Sequence, residues 1–217
     1  MTVVHSAPWL DFDLGAEMQV LSHAPHRPGF VTARRILWRE VRNADLPPRL
    51  DARDWLAQQL AGRGATDAVC FLTSRSIASH VQRDAQVGTT RAVAVATVGL
   101  SNAERVGTRL DRSAQSWGTI NIAVRLNRGL TPDAMIEALT IIAQARTAAV
   151  IDAGVDLPTG RATGTGTDCI AMAAPRGPAD YTGLHTDIGE AIGHATYAAV
   201  LAGARDWIID NRRRQYA

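Results

Sequence analysis

The sequence predicts a single α/β or α+β domain that has a mixed β-sheet and two long helices in its C-terminal half. Two observations support this fold class. Short apolar runs bounded by turn residues come early, and strand-like and helix-like segments then alternate. In addition, no internal repeat or evident linker divides the 217 residues. We therefore expect one domain that spans residues 1–217.

The strand assignments rest on alternating polarity or on runs of β-branched residues. Residues 1–16 are mixed in character, and we expect an irregular lead-in there. The predicted strands are Glu17–His23, Phe30–Val41, Asp67–Thr73, Arg91–Val98, Gly118–Leu126 and an apolar run that begins at Cys169.

The helix assignments rest on capping residues and helical periodicity. Asp51 is the expected N-cap of a helix that runs to Ala61, with Gly62 as its stop. Thr131 caps a second helix, which has Pro132 at its first position and runs to about Ala153. His185–Arg214 is predicted to be a third helix. Its many small residues can pack on its own sheet or on a second copy of the chain, so the sequence leaves a homo-oligomer open.

Composition excludes several classes of function. The net charge of +2 gives no reason to expect a nucleic-acid partner, and all 23 basic residues are arginine. Without lysine there can be no P-loop lysine, Schiff base or lysine general base. Cys70 and Cys169 lie in apolar runs and are expected to be buried thiols. The sequence shows no signal peptide and no membrane-length apolar run, so we expect a soluble, cytoplasmic protein.

Neither a metal nor a cofactor is expected. His23 and His26 are three residues apart in a proline loop, but no nearby cysteine or acidic cluster completes a set of ligands. The run Gly164-Thr165-Gly166-Thr167-Asp168 is not a dinucleotide fingerprint, because it precedes a strand instead of opening a helix.

The stretch Thr163–Asp168 is the most unusual polar segment of the chain. Read as the start of a strand, it places Thr163, Thr165 and Thr167 on one face and Asp168 on the other. Its two glycines would let a ligand approach the backbone closely. A glycine- and threonine-rich edge without chemistry is an equally good interpretation of this stretch alone.

Three polar segments adjoin three predicted strands, at 99–103, 118–121 and 163–168. If the strands are neighbours, these segments form one pocket rich in hydroxyls and amides. Such a set suits hydrogen bonding to amides, or acyl chemistry with a hydroxyl nucleophile. The residues that would line the pocket are Ser101, Asn102, Thr119, Asn121, Thr163, Gly164, Thr165, Gly166, Thr167 and Asp168.

The same motifs resemble the adenosylcobinamide amidohydrolase (CbiZ) family. They are Ala96-Thr97-Val98-Gly99-Leu100-Ser101-Asn102-Ala103, Gly118-Thr119-Ile120-Asn121-Ile122 and Thr163-Gly164-Thr165-Gly166-Thr167-Asp168. The resemblance implies a corrinoid substrate, hydrolysis of its aminopropanol amide to adenosylcobyric acid, and a role in corrinoid salvage for cobalamin synthesis. At Gln144 and Arg146 the chain departs from the family's Glu-Ala-Lys-Thr, which leaves roles for these two side chains open.

A second resemblance bears on mechanism. A Gly-Thr pair at the head of a strand, a proline-led helix and a glycine- and threonine-rich strand are similar to the β-aminopeptidase and ornithine acetyltransferase fold. That resemblance implies that Thr119 is a nucleophile freed by self-cleavage after Gly118. Asn102 or Asn121 would orient it or stabilise the oxyanion, and Asp168 would assist proton transfer. Thr119 is equally well explained as an ordinary β-branched strand residue, and attack by water with Asp168 as base stays open.

Two other functions compete with amide hydrolysis. One is an acyltransferase on the related fold, which would need an amine acceptor. The other is a corrinoid-binding protein without catalysis. Analysis of the ligand after incubation separates the three, because only a hydrolase releases a free acid and aminopropanol.

Overall fold

The computed structural model describes residues 1–47, 49–111 and 118–215. Within these residues the chain forms one mixed α/β domain with three α-helices, two of them in the C-terminal half. The helices are α1 (Ala52–Arg63), α2 (Pro132–Ala153) and α3 (Asp187–Gln215). The strands are β1 (Thr2–Ser6), β2 (Trp9–Ser22), β3 (Gly29–Glu40), β4 (Val69–Thr73), β5 (Val81–Val87), β6 (Thr90–Val98), β7 (Ala103–Glu104), β8 (Ile120–Leu126), β9 (Asp156–Leu157), β10 (Gly160–Arg161), β11 (Gly164–Thr165) and β12 (Cys169–Ala174).

The main sheet follows the order β4-β3-β2-β12-β8-β6-β5, with β1 paired to the first part of β2. It is a mixed sheet, because β3 and β4 are parallel, as are β12 and β8, while the other pairs are antiparallel. Two short antiparallel pairs, β9–β10 and β7–β11, lie outside it. The predicted mixed sheet with two long helices in the C-terminal half is thus confirmed.

The two halves of the sheet face each other across a shared apolar core. This core joins Phe12, Trp38 and Phe71 of β2–β4 to Val95 of β6 and Ala123 of β8. We call the face of each half that lies against this core its inner face. Burial of these large side chains supplies most of the favourable free energy that holds the halves together.

Helices cover the two outer faces. α2 and α3 pack on β6, β8 and β12 through a second core, which includes Ile122, Met172 and Ile192. α1 packs its buried Leu56 and Leu60 against β3 and β4. The layers are therefore α1, the β2–β4 half, the β12–β8–β6 half, and then the α2–α3 pair.

The structure corrects three sequence predictions. Residues 1–16 are not an irregular lead-in, because they form β1 and the first part of β2. The pairing of β2 with β3 shifts register between Asp13 and Met18, and Gly15 within this shift has a φ of +83°. α1 continues through Gly62 and ends at Gly64, because Gly64 adopts the left-handed conformation that terminates helices. Residues 163–168 are not one strand, since a turn at Gly166 and Thr167 separates β11 from β12.

α2 is long and apolar enough to cross a membrane by length and composition alone. In the structure its apolar side chains Met135, Ile141 and Ile142 are buried against the sheet and α3. Core helices of soluble proteins meet the same criterion. This face of α2 is therefore packed inside the α/β domain, while Ile136 and Ile151 of the same helix are exposed.

Two glycines of α3 differ in how closely other atoms approach them. A β-carbon on Gly189 would lie 2.2 Å from the Gly183 carbonyl oxygen, whereas one on Gly193 would meet nothing closer than Ile141 Cγ2 at 3.8 Å.

We expect Gly189→Ala to destabilise the fold by about 1–3 kcal/mol through overpacking. Gly193→Ala should stabilise it by about 0.5–1 kcal/mol, because alanine favours the helix. Urea unfolding of both variants measures these differences, and equal effects would contradict the close approach of α3 to Gly183.

Candidate active site

The three polar segments predicted to converge lie at one edge of the main sheet. β8 lies between β6, to which it is antiparallel, and β12, to which it is parallel. The N-terminal ends of β8 and β12 and the C-terminal end of β6 therefore meet. The edge is closed by Gly99, whose N–H donates to the Thr119 carbonyl oxygen at 2.9 Å.

Alternation along the strands separates the site into two faces. Asn121 lies opposite Thr97 on one neighbouring strand and Cys169 on the other, so these three share the inner face. Thr119, two residues before Asn121, is on the same face. Asp168 instead contacts Arg146 of α2, on the helix side.

The Thr119 hydroxyl is buried and has two carbonyl-type acceptors. Its Oγ1 is 2.8 Å from the Thr167 carbonyl oxygen and 3.2 Å from Asn121 Oδ1. Asn121 is fully buried, and its Nδ2 donates to the Leu72 carbonyl oxygen at 2.7 Å. That bond fixes the amide so that its oxygen faces Thr119. The threonine side chain is thus held in one orientation by the strand edge.

A second chain of polar groups reaches the carbonyl that precedes Thr119. The Thr167 hydroxyl donates to the Gly118 carbonyl oxygen at 2.9 Å and lies 3.5 Å from Asn102 Nδ2. Asn102 is buried, and its Oδ1 has no hydrogen-bond partner among the described residues. The buried Thr97 hydroxyl is likewise without a partner in the described part of the chain. Unpaired buried polar atoms of this kind are uncommon and indicate a functional cavity or strain.

Gly118 is packed too tightly for any other residue. A β-carbon there would lie 2.8 Å from the Ser101 backbone nitrogen and 2.9 Å from Asn102 Oδ1. Ser101 thus contributes its backbone to the site, which brings the segment after β6 against the start of β8.

The Asp168 carboxylate accepts four hydrogen bonds. Its Oδ1 accepts from the Ile120 N–H at 3.1 Å and from the Thr165 hydroxyl. Its Oδ2 accepts from the Thr165 N–H at 3.1 Å and from Arg146 Nη1. An ionised carboxylate has about four acceptor positions, so all of them are occupied. The side chain is only 9% exposed and ties α2, the turn and the start of β8 together.

The residues of the glycine- and threonine-rich stretch 163–168 have different roles. Some of them hold the local structure, and others face the site. Thr163 serves the β7–β11 pair, because its hydroxyl accepts from the Val106 N–H at 2.8 Å. Gly164 makes room for the ion pair, since a β-carbon there would lie 2.7 Å from Asp168 Oδ2. A β-carbon on Gly166 would lie 3.9 Å from Asn102 Nδ2. Thr165 bonds Asp168 directly, which corrects the expectation that the two point to opposite faces.

Two arginines at this edge were not among the predicted site residues. Arg146 pairs with Asp168, and Arg75 approaches Gly99, where a β-carbon would lie 3.6 Å from Arg75 Cβ. Each carried a sequence signal. Arg146 is the one charged residue between Glu137 and Asp152 in α2, and Arg75 is the first charged residue after β4.

Cys169 lies beside the Thr119 cluster but is a poor nucleophile. Its Sγ is 3.8 Å from the same Thr167 carbonyl oxygen that Thr119 contacts. Burial, with a smaller contribution from the Asp168 carboxylate, raises the pKa of the Cys169 thiol to about 11. The reactive thiolate is therefore scarce near neutral pH.

The two loop histidines are engaged by backbone carbonyls. His23 Nε2 is 3.1 Å from the Asp168 carbonyl oxygen, and His26 Nε2 is 3.1 Å from that of Thr66. Among the described residues, no three His, Cys, Asp or Glu side chains are grouped so that they could hold a metal ion. The groups at the inner face are hydroxyls, amides and backbone, which can recognise an amide and stabilise an oxyanion.

Comparison with known proteins identifies the family. An uncharacterised protein from Methanocaldococcus jannaschii, MJ1613, is 40% identical over 88 residues, which cover 39% of this chain and 34% of that protein. The chain thus matches about a third of the length of this curated relative. The PH0078 protein from Pyrococcus horikoshii OT3 aligns over 90% of this chain and 76% of its own, with 9% identity and a TM-score of 0.42. The adenosylcobinamide amidohydrolase (CbiZ) family model matches residues 1–212, so the chain belongs to that family.

Proposed function

We propose that this protein hydrolyses the amide that joins aminopropanol to the corrin ring of adenosylcobinamide or a related corrinoid. The products are adenosylcobyric acid and aminopropanol, and the acid returns to cobalamin synthesis. Family membership supports a hydrolase that acts on amides. The observation that carries the proposal is the buried Thr119 hydroxyl, held at the convergence of three strand ends between the Thr167 carbonyl and Asn121.

Thr119 is the nucleophile in this proposal. A threonine hydroxyl needs a base to take its proton. The recorded partners of Thr119 Oγ1 are a backbone carbonyl and an amide oxygen, and neither is basic at neutral pH. Its own α-amino group, once released from Gly118, supplies a base within the same residue. Because neither of these described partners is a base, we favour self-cleavage between Gly118 and Thr119 as its source.

The cleavage step uses groups already in contact. Thr119 Oγ1 attacks the Gly118 carbonyl carbon, and the Thr167 hydroxyl donates to the oxygen on which charge develops. The bond to the Thr119 nitrogen breaks, which leaves an ester between Gly118 and the threonine oxygen. Water then hydrolyses the ester to a Gly118 carboxylate, a free hydroxyl and a free amine.

Substrate cleavage repeats this chemistry on an external amide. The Thr119 amine takes the proton of its hydroxyl, the oxygen attacks the substrate carbonyl, and the same proton passes to the departing aminopropanol nitrogen. In this proposal the Thr167 hydroxyl and Asn102 stabilise the oxyanion, and Asn121 orients the nucleophile. Water releases the corrinoid acid from the ester and restores Thr119.

Asp168 is a positioning residue in this proposal. Its four acceptor positions are occupied, so it is poorly placed to activate water. Its bond to the Ile120 N–H instead fixes the start of β8, and its bonds to Thr165 fix the turn that carries Thr167. Arg146 neutralises the buried carboxylate from α2. The pair thereby sets the distance between Thr119 and Thr167.

Substitutions at Thr119 test the reaction. We expect Thr119→Ala to lower kcat/KM for adenosylcobinamide by about 10³-fold or more, as the loss of a nucleophile does. Thr119→Ser keeps a hydroxyl and should retain measurable turnover. Chromatography of the corrinoid and detection of aminopropanol report the reaction. Unchanged ligand with the wild-type protein would indicate a binder, and transfer of the acyl group to an added amine would indicate a transferase.

Mass spectrometry of active protein tests self-cleavage. We expect two chains, residues 1–118 and 119–217, in the wild type and one intact chain in Thr119→Ala. An unperturbed α-amino group has a pKa of about 7.7–8.0, and it acts as a base only when neutral. Activity of the wild type should therefore fall as the pH drops below about 7.7. A single intact chain with full activity would rule out this version of the mechanism.

Variants of the buried ion pair test the positioning role. Asp168→Asn leaves Arg146 without a counter-charge and should cost about 3–5 kcal/mol of stability, together with most of the activity. Arg146→Lys keeps the charge and should retain far more activity than Arg146→Met. Thermal unfolding and kcat are measured on the same samples. If Asp168→Asn kept full hydrolysis, Asp168 would have neither a positioning role nor a role as base.

A further inference from the structure

A cavity of about 430 Å³ has Arg75, which approaches Gly99 at the end of β6, in its wall. It lies between the last turns of α3 and the segment that follows β4. Its lining combines positive, negative and apolar groups from these two walls: Arg75, His80, Asp206, Ile209, Asp210 and Arg213. We propose that this cavity binds peripheral amide side chains of the corrinoid substrate, an inference that rests on the proposed function.

Arg75 connects the cavity to the reacting threonine. Its side chain is only 7% exposed, and its Nη2 donates to Asp210 Oδ2 at 2.7 Å. Its Nε is buried without a hydrogen-bond partner among the described residues. A β-carbon on Gly99 would be 3.6 Å from Arg75 Cβ and 3.5 Å from the Thr119 nitrogen. Gly99, which follows β6, is therefore close both to Arg75 in the cavity wall and to the Thr119 backbone.

The charge pattern selects the ligand class. Asp206, Asp210 and Arg213 recur at helical spacing on one face of α3, and Ile209 between them is 49% exposed. Two carboxylates disfavour a phosphate, and two arginines disfavour a bare cation. A primary amide carries both a donor and an acceptor, so it can satisfy the carboxylates and the guanidinium groups together. Corrinoids carry several such amides around an apolar ring, which suits the exposed isoleucine.

The proposal divides binding from reaction. The hydroxyl and amide groups around Thr119 are buried, and in this proposal they receive the one reacting amide. The wider cavity on the α3 side takes neighbouring amides of the same ring. In this arrangement the cavity sets substrate affinity, and Thr119 sets turnover.

A paired substitution tests the cavity. We expect Asp206→Ala combined with Arg213→Ala to raise KM for adenosylcobinamide about 10–100-fold while kcat stays within about twofold. Binding of adenosylcobyric acid, measured by visible absorption without turnover, should weaken by the same factor. The control combines Asp84→Ala with Arg91→Ala. This control also removes one acidic residue and one arginine, but from an exposed ion pair. Arg91 lies at the opposite end of β6 from Gly99.

A chemical probe tests the role of the amides. Wild-type protein should bind adenosylcobyric acid at least about tenfold more tightly than a cobyrinate heptamethyl ester, whose esters accept but do not donate hydrogen bonds. The paired variant should lose this preference. Unchanged KM and affinity in an active paired variant would overturn the proposal, as would inorganic phosphate that competes with the corrinoid.

Failure of the proposed function gives a different result. Wild-type protein that binds adenosylcobyric acid without hydrolysing adenosylcobinamide would contradict the hydrolase, and the affinity of the paired variant would still decide the role of the cavity. Wild-type protein that binds neither corrinoid would overturn both proposals.

Discussion

The carboxylate of Asp168 fixes the geometry of the edge at which the candidate site lies. It accepts hydrogen bonds from the first N–H of β8, from the N–H and hydroxyl of Thr165 at the end of β11, and from an arginine of α2. These segments are distant in sequence, and the Asp168 carboxylate contacts all three. Because the carboxylate is largely buried, its loss would leave all of these donors unsatisfied in a region of low dielectric constant. The edge is therefore held as a unit.

The sheet separates this charged support from the uncharged reacting groups. Asp168 and Arg146 lie on the helix side, whereas Thr119, Asn121 and Thr97 lie on the inner face between the two halves of the sheet. The inner face offers hydroxyl, amide and backbone groups whose dipoles are fixed in place. Such groups stabilise a developing negative charge without having to reorganise. A charge placed among them would have to be desolvated by the same apolar core that holds the halves together.

The sequence predicts the elements with strong local signals and the convergence of the polar segments. α2 begins after Thr131 and ends at Ala153, as its capping residues indicate. The structure brings 99–103 and 118–121 together because β6 and β8 are neighbours. The turn within 163–168 was missed, since bonds from Thr165 to Asp168 replace the strand pairing that its composition favours. The pairing of Arg146 with Asp168 depends on the tertiary packing of α2, which local patterns do not encode.

The strand order has a consequence for biosynthesis. β2, near the start of the chain, pairs with β12, which is made about 150 residues later. Until β12 leaves the ribosome, β2 and β8 each present an unpaired backbone edge and the inner apolar surface is open. Pairing of β2 with β12 is thus a long-range contact that forms late and carries a loop-closure cost. A sheet that is closed by so distant a pairing is expected to fold more slowly than one built from local pairings.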